Sequence, residues 1–289
     1  MPWQFERIAG PHAGPTVGAA WDGSGLLYSV PDEMLVRRWD AATQQSTDWR
    51  RYTGRVNGIA LGAAGSVFVA QESGRRVIEL VADGSARVTA TRWNGAIHNF
   101  PCDLTVDRQQ RVWFSDSHTG LQVFGPRIYP LLEHASVLRL ERDDRRAWIL
   151  RRITFDTQAP RGVLLTADEG TLLVAEGEVD RPGPRELRAY PVRADGSVGA
   201  CETLHTFGSD HRGKHRGIEG LCLLPQGRVA AVGGAPGLGP GPAVHVFDSD
   251  LRLVEVHPFA AAAPMHCACG GGHLYVTAAD GCVYRAALA

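Results

Sequence analysis

The segment IHNFPCDLTVDRQQRVWFSD, residues 97–116, decides how the rest of the chain is read. It is a loop ending in Pro101, a short strand, a polar turn and a second strand. Leu104 and Val106 alternate with Asp103 and Thr105, and VWFS is rich in β-formers, so both halves carry the period of a sheet. The same order returns in VNGIALGAAGSVFVAQ (56–71), APRGVLLTADEGTLLVAE (159–176), GIEGLCLLPQGRVAAVG (217–233) and PMHCACGGGHLYVTA (264–278). A weaker copy, VGAAWDGSGLLYSV, begins at Val17.

Aligning the six copies on the glycines at 18, 58, 162 and 220 places Asp103 and Cys267 in the same slot, with spacings of 40, 45, 59, 58 and 47 residues. A repeat of that length with several strands per unit is the signature of a β-propeller blade. Third strands are read at 34–40, 76–81, 136–142, 186–192, 243–248 and 282–288, and fourth strands at 47–53, 86–93, 147–154, 202–207 and 252–259. The sixth fourth strand is missing at the end of the chain, and WQFERIA (3–9) has the alternation to supply it. Pairing the two ends in one blade leaves no open sheet edge. The expectation is an all-β, six-bladed propeller of four-stranded blades, a single domain over 1–289 closed by the N-terminal strand.

Composition narrows the function. The formal net charge is −1 and no basic stripe is present, which argues against nucleic acid. No secretory leader pattern and no run of about 18 apolar residues are found, so a cytoplasmic protein without a membrane span is expected. The six cysteines follow neither a zinc-ribbon nor a disulfide-scaffold spacing and are read as reduced thiols, those at 222, 269 and 282 as small core residues. A monomer or weak homo-oligomer acting on a small molecule fits this composition.

The long irregular segments (94–101, 117–135, 177–185, 208–217 and 233–242) all fall on one face, before an innermost strand or between second and third strands. Long loops on one face of a rigid scaffold are where function collects. The residue preceding each slot should point into the channel mouth, which gives Val17, Asn57, Cys102, Arg161, Glu219 and His266. Five of these six are polar, nucleophilic or ionisable. A structural ring would be apolar or small, so a ligand site is the favoured reading, with a satisfied ion pair as the alternative.

At these residues the chain resembles the senescence-marker-protein/gluconolactonase family, related to paraoxonases, diisopropylfluorophosphatase and strictosidine synthases. FPCDLTVDRQQRVWFSD is similar to that family's PNDLAVDPDGRLYFTD, and APRGVLLTADEGTLLVAE to PNGIALSPDGKTLYVAD. GIEGLCLLPQG and HCACGGGHLYVTAADG match further family segments in the correct order. The resemblance implies a hydrolase with a divalent cation, usually calcium, held by a Glu, two Asn and an Asp. Carried over residue by residue, those positions fall on Val17, Cys102, Arg161 and Glu219. Only the last keeps a carboxylate. A hard cation needs several oxygen ligands, and Arg161 would put a fixed positive charge where it sits, so no metal is expected.

Two chemistries remain. Arg161 replaces the metal by binding a carboxylate or an oxyanion, with Glu219 as acid or base and Cys102 or His266 as a second catalytic group. Alternatively, Cys102, Glu219 and His266 gather a softer ion such as zinc. Asn57, His98, His118, Tyr129 and His215 are the expected substrate contacts: His98 as a possible activator of Cys102 or a solvent-facing residue, His118 and Tyr129 in the longest loop, and His215 in a basic rim with Arg212, Lys214 and Arg216. The expected reaction is hydrolysis of a lactone or ester of a small, anionic metabolite. The alternatives are a metal-independent isomerase, lyase or condensing enzyme, and a non-catalytic binding propeller.

Overall fold

A computed structural model describes residues 2–118, 130–178, 180 and 182–288. Six four-stranded antiparallel sheets, with two short hairpins, make up the described chain; five run in sequence order from the axis outward, and the sixth takes its outermost strand from the N-terminus. The innermost strands are Val17–Trp21, Val56–Leu61, Phe100–Val106, Pro160–Leu165, Ile218–Leu223 and Pro264–Gly270. Each packs beside the next, and the last packs on the first, which closes a six-bladed propeller. The first and fourth blades, the second and fifth, and the third and sixth therefore face one another across the axis.

The apolar core consists of six clusters, one at each junction between consecutive blades. Between the first and second blades, for example, Leu27 and Val36 meet Ile59, Val67 and Val69. Both faces of every blade are thus covered. That is why second strands such as Leu172–Ala175 and Val229–Val232 are buried at every position instead of alternating. Among the described residues no helix is long and apolar enough to cross a membrane.

Closure follows the expected route over a shorter span. Glu6–Ala9 is the outer strand of the sixth blade, pairing Glu6 with Arg285 and Ala9 with Val283. Trp3 and Phe5, expected in that strand, instead pack on the fifth blade's outer edge. Trp3 stacks on His257 at 4.0 Å and Phe5 meets Phe259 edge-on at 5.0 Å. The fourth strand of the second blade is also shorter than expected, ending at Val88. Asn94 and Gly95 both have positive φ and turn Arg92–Trp93 back onto Ala96–Ile97 as a separate hairpin. Asn-Gly favours that turn, and here it outweighed the apolar pattern of the strand.

Every innermost strand carries a break in pairing register near its start. A bulge of this kind bends the strand and re-aims the side chains at it. In this fold it turns one residue per blade toward the channel mouth. The glycine slot beside it has a steric cause. A Cβ on Gly58 would lie 2.8 Å from Cα of Asp103, and one on Gly220 2.7 Å from Cα of His266, each on the following blade. Glycine permits this approach of neighbouring backbones around the axis.

Candidate active site

The bulges converge on a cavity of about 150 Å³ at the mouth of the channel. Val17, Asn57, Cys102, Arg161, Glu219 and His266 all line it, joined by Arg55, Glu72, Phe100, Asp103 and Met265. All six ring residues expected from the repeat therefore reach one cavity. In the last blade the register differs by one residue. His266 pairs with Thr277 and Cys267 with Val276, after a break at Met265. Met265 thus takes the mouth position, and His266 takes the slot that Gly220 holds in the fifth blade. Cys267 is buried in the core between the fifth and sixth blades. The last blade has no glycine to mark the slot, so an alignment anchored on glycines slipped there.

Arg161 is the centre of the charge arrangement. Its Nη2 and Nε donate to Oε2 of Glu219 at 2.9 and 3.1 Å, and its Nη1 donates to Oε1 of Glu178 at 2.9 Å. Arg216 Nε donates to the other oxygen of Glu219 at 2.8 Å. Burial pushes the Glu219 carboxyl up, but Arg161 and Arg216 outweigh it and hold the group below the usual glutamate range. Glu219 in turn keeps Arg161 charged despite its own burial. Glu178, in the 177–185 loop, was not singled out from the sequence. It stands two residues beyond the fourth blade's second strand, Thr171–Glu176, whose end pairs with Pro160 beside Arg161.

Cys102 Sγ lies 3.9 Å from Nη1 of Arg161. Burial pushes this thiol up to about 12 against the pull of the guanidinium. It is a neutral thiol at neutral pH and a poor nucleophile. On the opposite side, Arg55 is bracketed by Asp32 and by Glu72, the latter at 3.2 Å. His266 Nε2 lies 3.0 Å from Oδ1 of Asp103. Asp103 also accepts the backbone N–H of Leu104 at 2.8 Å and that of Val163 at 3.0 Å.

The other expected substrate contacts are elsewhere. His98 neither faces solvent nor reaches Cys102. It is fully buried, edge-on to Phe114 and 3.4 Å from Asp116. The Asp116 carboxylate beside it also accepts the backbone N–H of Asn99 at 2.7 Å. His118 is within hydrogen-bond distance of the Leu132 carbonyl at 2.9 Å, where it ties down the base of the long loop. His215 turns toward Asp210 on its own hairpin, 3.6 Å away. None of these three lines the described cavity. Tyr129 lies outside the described residues. Of the expected basic rim, only Arg216 reaches the charge cluster.

The family's calcium position fails a test of fit against these donors. Val17 offers no side-chain oxygen, Cys102 a neutral thiol and Arg161 a cation, while both oxygens of Glu219 are engaged by arginines. Among the described residues no group of three or more His, Cys, Asp or Glu side chains is arranged to hold a metal ion.

Comparison with known proteins agrees with the fold and its family. The family model for the SMP-30/gluconolactonase/LRE-like region matches residues 16–280. A gluconolactonase of Zymomonas mobilis is 24% identical over 261 residues, covering 83% of this chain and 69% of that protein. A gluconolactonase structure from Xanthomonas campestris superposes with a TM-score of 0.80 at 25% identity, covering 99% of this chain and 90% of that one. A regucalcin from Agrobacterium tumefaciens, described as calcium-binding, superposes at 0.74 with 14% identity, covering 100% and 95%. The chain is a member of the SMP-30/gluconolactonase/LRE-like family, built as a six-bladed propeller.

Proposed function

We propose that this protein hydrolyses a small lactone or ester, with the Arg161 guanidinium in the position where relatives hold a divalent cation. The observation that carries this reading is the placement of Arg161 at the channel mouth, clamped by Glu219 and Glu178. The gluconolactonase relatives support the reaction class. A fixed guanidinium can donate to a carbonyl oxygen as negative charge develops on it, the task the cation performs elsewhere. Glu219 serves as the anchor that orients this donor, because two arginines stabilise its charged form and weaken it as a base.

The charge balance favours an uncharged substrate over the anion expected from Arg161 alone. Arg55 pairs with Asp32 and Glu72, Arg161 with Glu178 and Glu219, and Arg216 with Glu219, while Asp103 faces His266. Among the described residues these carboxylates outnumber the arginines, so an added anion gains little.

The test is turnover of glucono-δ-lactone, other aldonolactones and aryl esters by purified protein, with and without a chelator. Turnover that survives the chelator is expected. Absence of turnover of every such substrate at high enzyme concentration overturns the hydrolase reading. A stoichiometric divalent ion bound through Glu219 overturns the substitution of metal by Arg161.

A further inference from the structure

Just inside the mouth lies a layer of six slot residues, one per blade. Four are glycines, at 18, 58, 162 and 220. The other two, Asp103 and His266, stand on the third and sixth blades, which oppose one another across the axis. Their side chains fill the space the glycines leave and meet at 3.0 Å. This is a contact between residues 163 positions apart, made through the centre of the ring.

We propose that Asp103 and His266 form the acid–base dyad of the site, His266 as the general base and Asp103 as its positioning residue. The proposal rests on the hydrolase reading above and adds the group that activates water. Asp103 receives two backbone N–H groups and the imidazole, the surroundings of a carboxylate that accepts. An accepting carboxylate opposite Nε2 places the ring proton on Nε2 and leaves the lone pair on Nδ1. Nδ1 is buried and has no hydrogen-bond partner among the described residues, while His266 as a whole is 8% exposed and lines the cavity. A buried acceptor with no partner in the protein is suited to a water or a substrate hydroxyl.

In the reaction, Nδ1 takes a proton from water as the water oxygen bonds to the carbonyl carbon. The acyl C–O bond then breaks, and the same proton passes from Nδ1 to the departing alkoxide. One lactone and one water give one hydroxy acid, and the imidazole returns to its starting tautomer. Neither other candidate fits the base role as well, since the Glu219 carboxyl is held low and the Cys102 thiol high.

Three measurements test the dyad. In His266→Ala, kcat on the best lactone should fall about 100-fold with KM little changed, and added imidazole should restore part of the rate. In the wild-type protein, nitrogen-15 NMR should find the His266 proton on Nε2, and Asp103→Asn should shift that tautomer equilibrium and lower kcat. Thermal melts establish that each variant is folded. Full activity in folded His266→Ala, with the wild type turning over lactone, overturns the dyad and leaves the hydrolase reading standing. A proton on Nδ1 of wild-type His266 overturns the dyad whether or not any variant folds. A wild type inert toward all lactones and esters, with the proton on Nε2, overturns the hydrolase reading and, with it, His266 as its base.

Discussion

The guanidinium of Arg161 and the carboxylate of Glu219, 58 residues apart on neighbouring blades, meet through two hydrogen bonds at 2.9 and 3.1 Å. The pair is the direct outcome of two bulges at equivalent points of adjacent inner strands. Removing Arg161 takes away the cation at the mouth and leaves Glu219, whose side chain is 9% exposed, with Arg216 alone. Arg161→Ala should lower kcat/KM on a lactone by about 100-fold or more, the scale for loss of a donor to a developing oxyanion. It should also cost about 3 kcal/mol of stability, measured by chemical denaturation.

The same pair sets an acid limit on folding. Glu219 has a folded-state pKa below its unfolded value, so the folded protein binds fewer protons than the unfolded chain in that interval. Its contribution is present above the ordinary glutamate range and is lost as pH falls through the lowered value. The stability difference between wild type and Glu219→Gln should therefore be largest near pH 7 and shrink as the solution is taken below about pH 4. Denaturation midpoints of the two proteins between pH 7 and 3 check this. A difference independent of pH counts against the charged pair.

His245 should make the protein acid-sensitive in a different window. Burial, with His205 nearby, lowers its pKa to about 4. The unfolded chain takes up a proton near pH 6.5 that the folded protein refuses until about pH 4. Stability should fall by roughly 3 kcal/mol as pH drops across that interval, by the linkage of pKa to folding. His245→Phe, facing Phe207 and His205, should flatten that part of the profile, as read from melting temperature against pH.

Cys102 touches the guanidinium but is held as a neutral thiol. Cys102→Ser should keep kcat/KM within about tenfold of wild type, where loss of a covalent nucleophile would cost several orders of magnitude. Steady-state rates, together with slow alkylation of Cys102 at pH 8, check this.

The N-terminal strand is the seam of the ring. Deleting residues 2–9 removes the pairing of Glu6–Ala9 with Val283–Ala287, the Arg285–Glu6 ion pair and the Trp3 stack on His257. It also opens a sheet edge to other chains. A loss of about 3 kcal/mol, or roughly 6–12 °C in Tm for a domain of this size, is expected, with concentration-dependent aggregation. Calorimetry and light scattering read the two effects.

Much of this was legible in the chain itself. Strand positions, six repeats and closure by the N-terminus follow from local apolar patterning and from glycines that recur where neighbouring inner strands nearly touch. Those are short-range constraints that each blade writes separately, so they survive in sequence. The convergence of Asn57, Cys102, Arg161 and Glu219 was legible for the same reason, since equivalent places in a repeat point to one axis. Tertiary structure decided the rest. The sixth blade lacks its glycine, and only pairing with the second strand set His266 one step deeper, opposite Asp103. Glu178 joined Arg161 from just beyond the adjacent second strand, while Asp116 and Phe114 stand beside the buried His98. Contacts across a ring depend on how blades close around an axis, and no local pattern of residues carries that information.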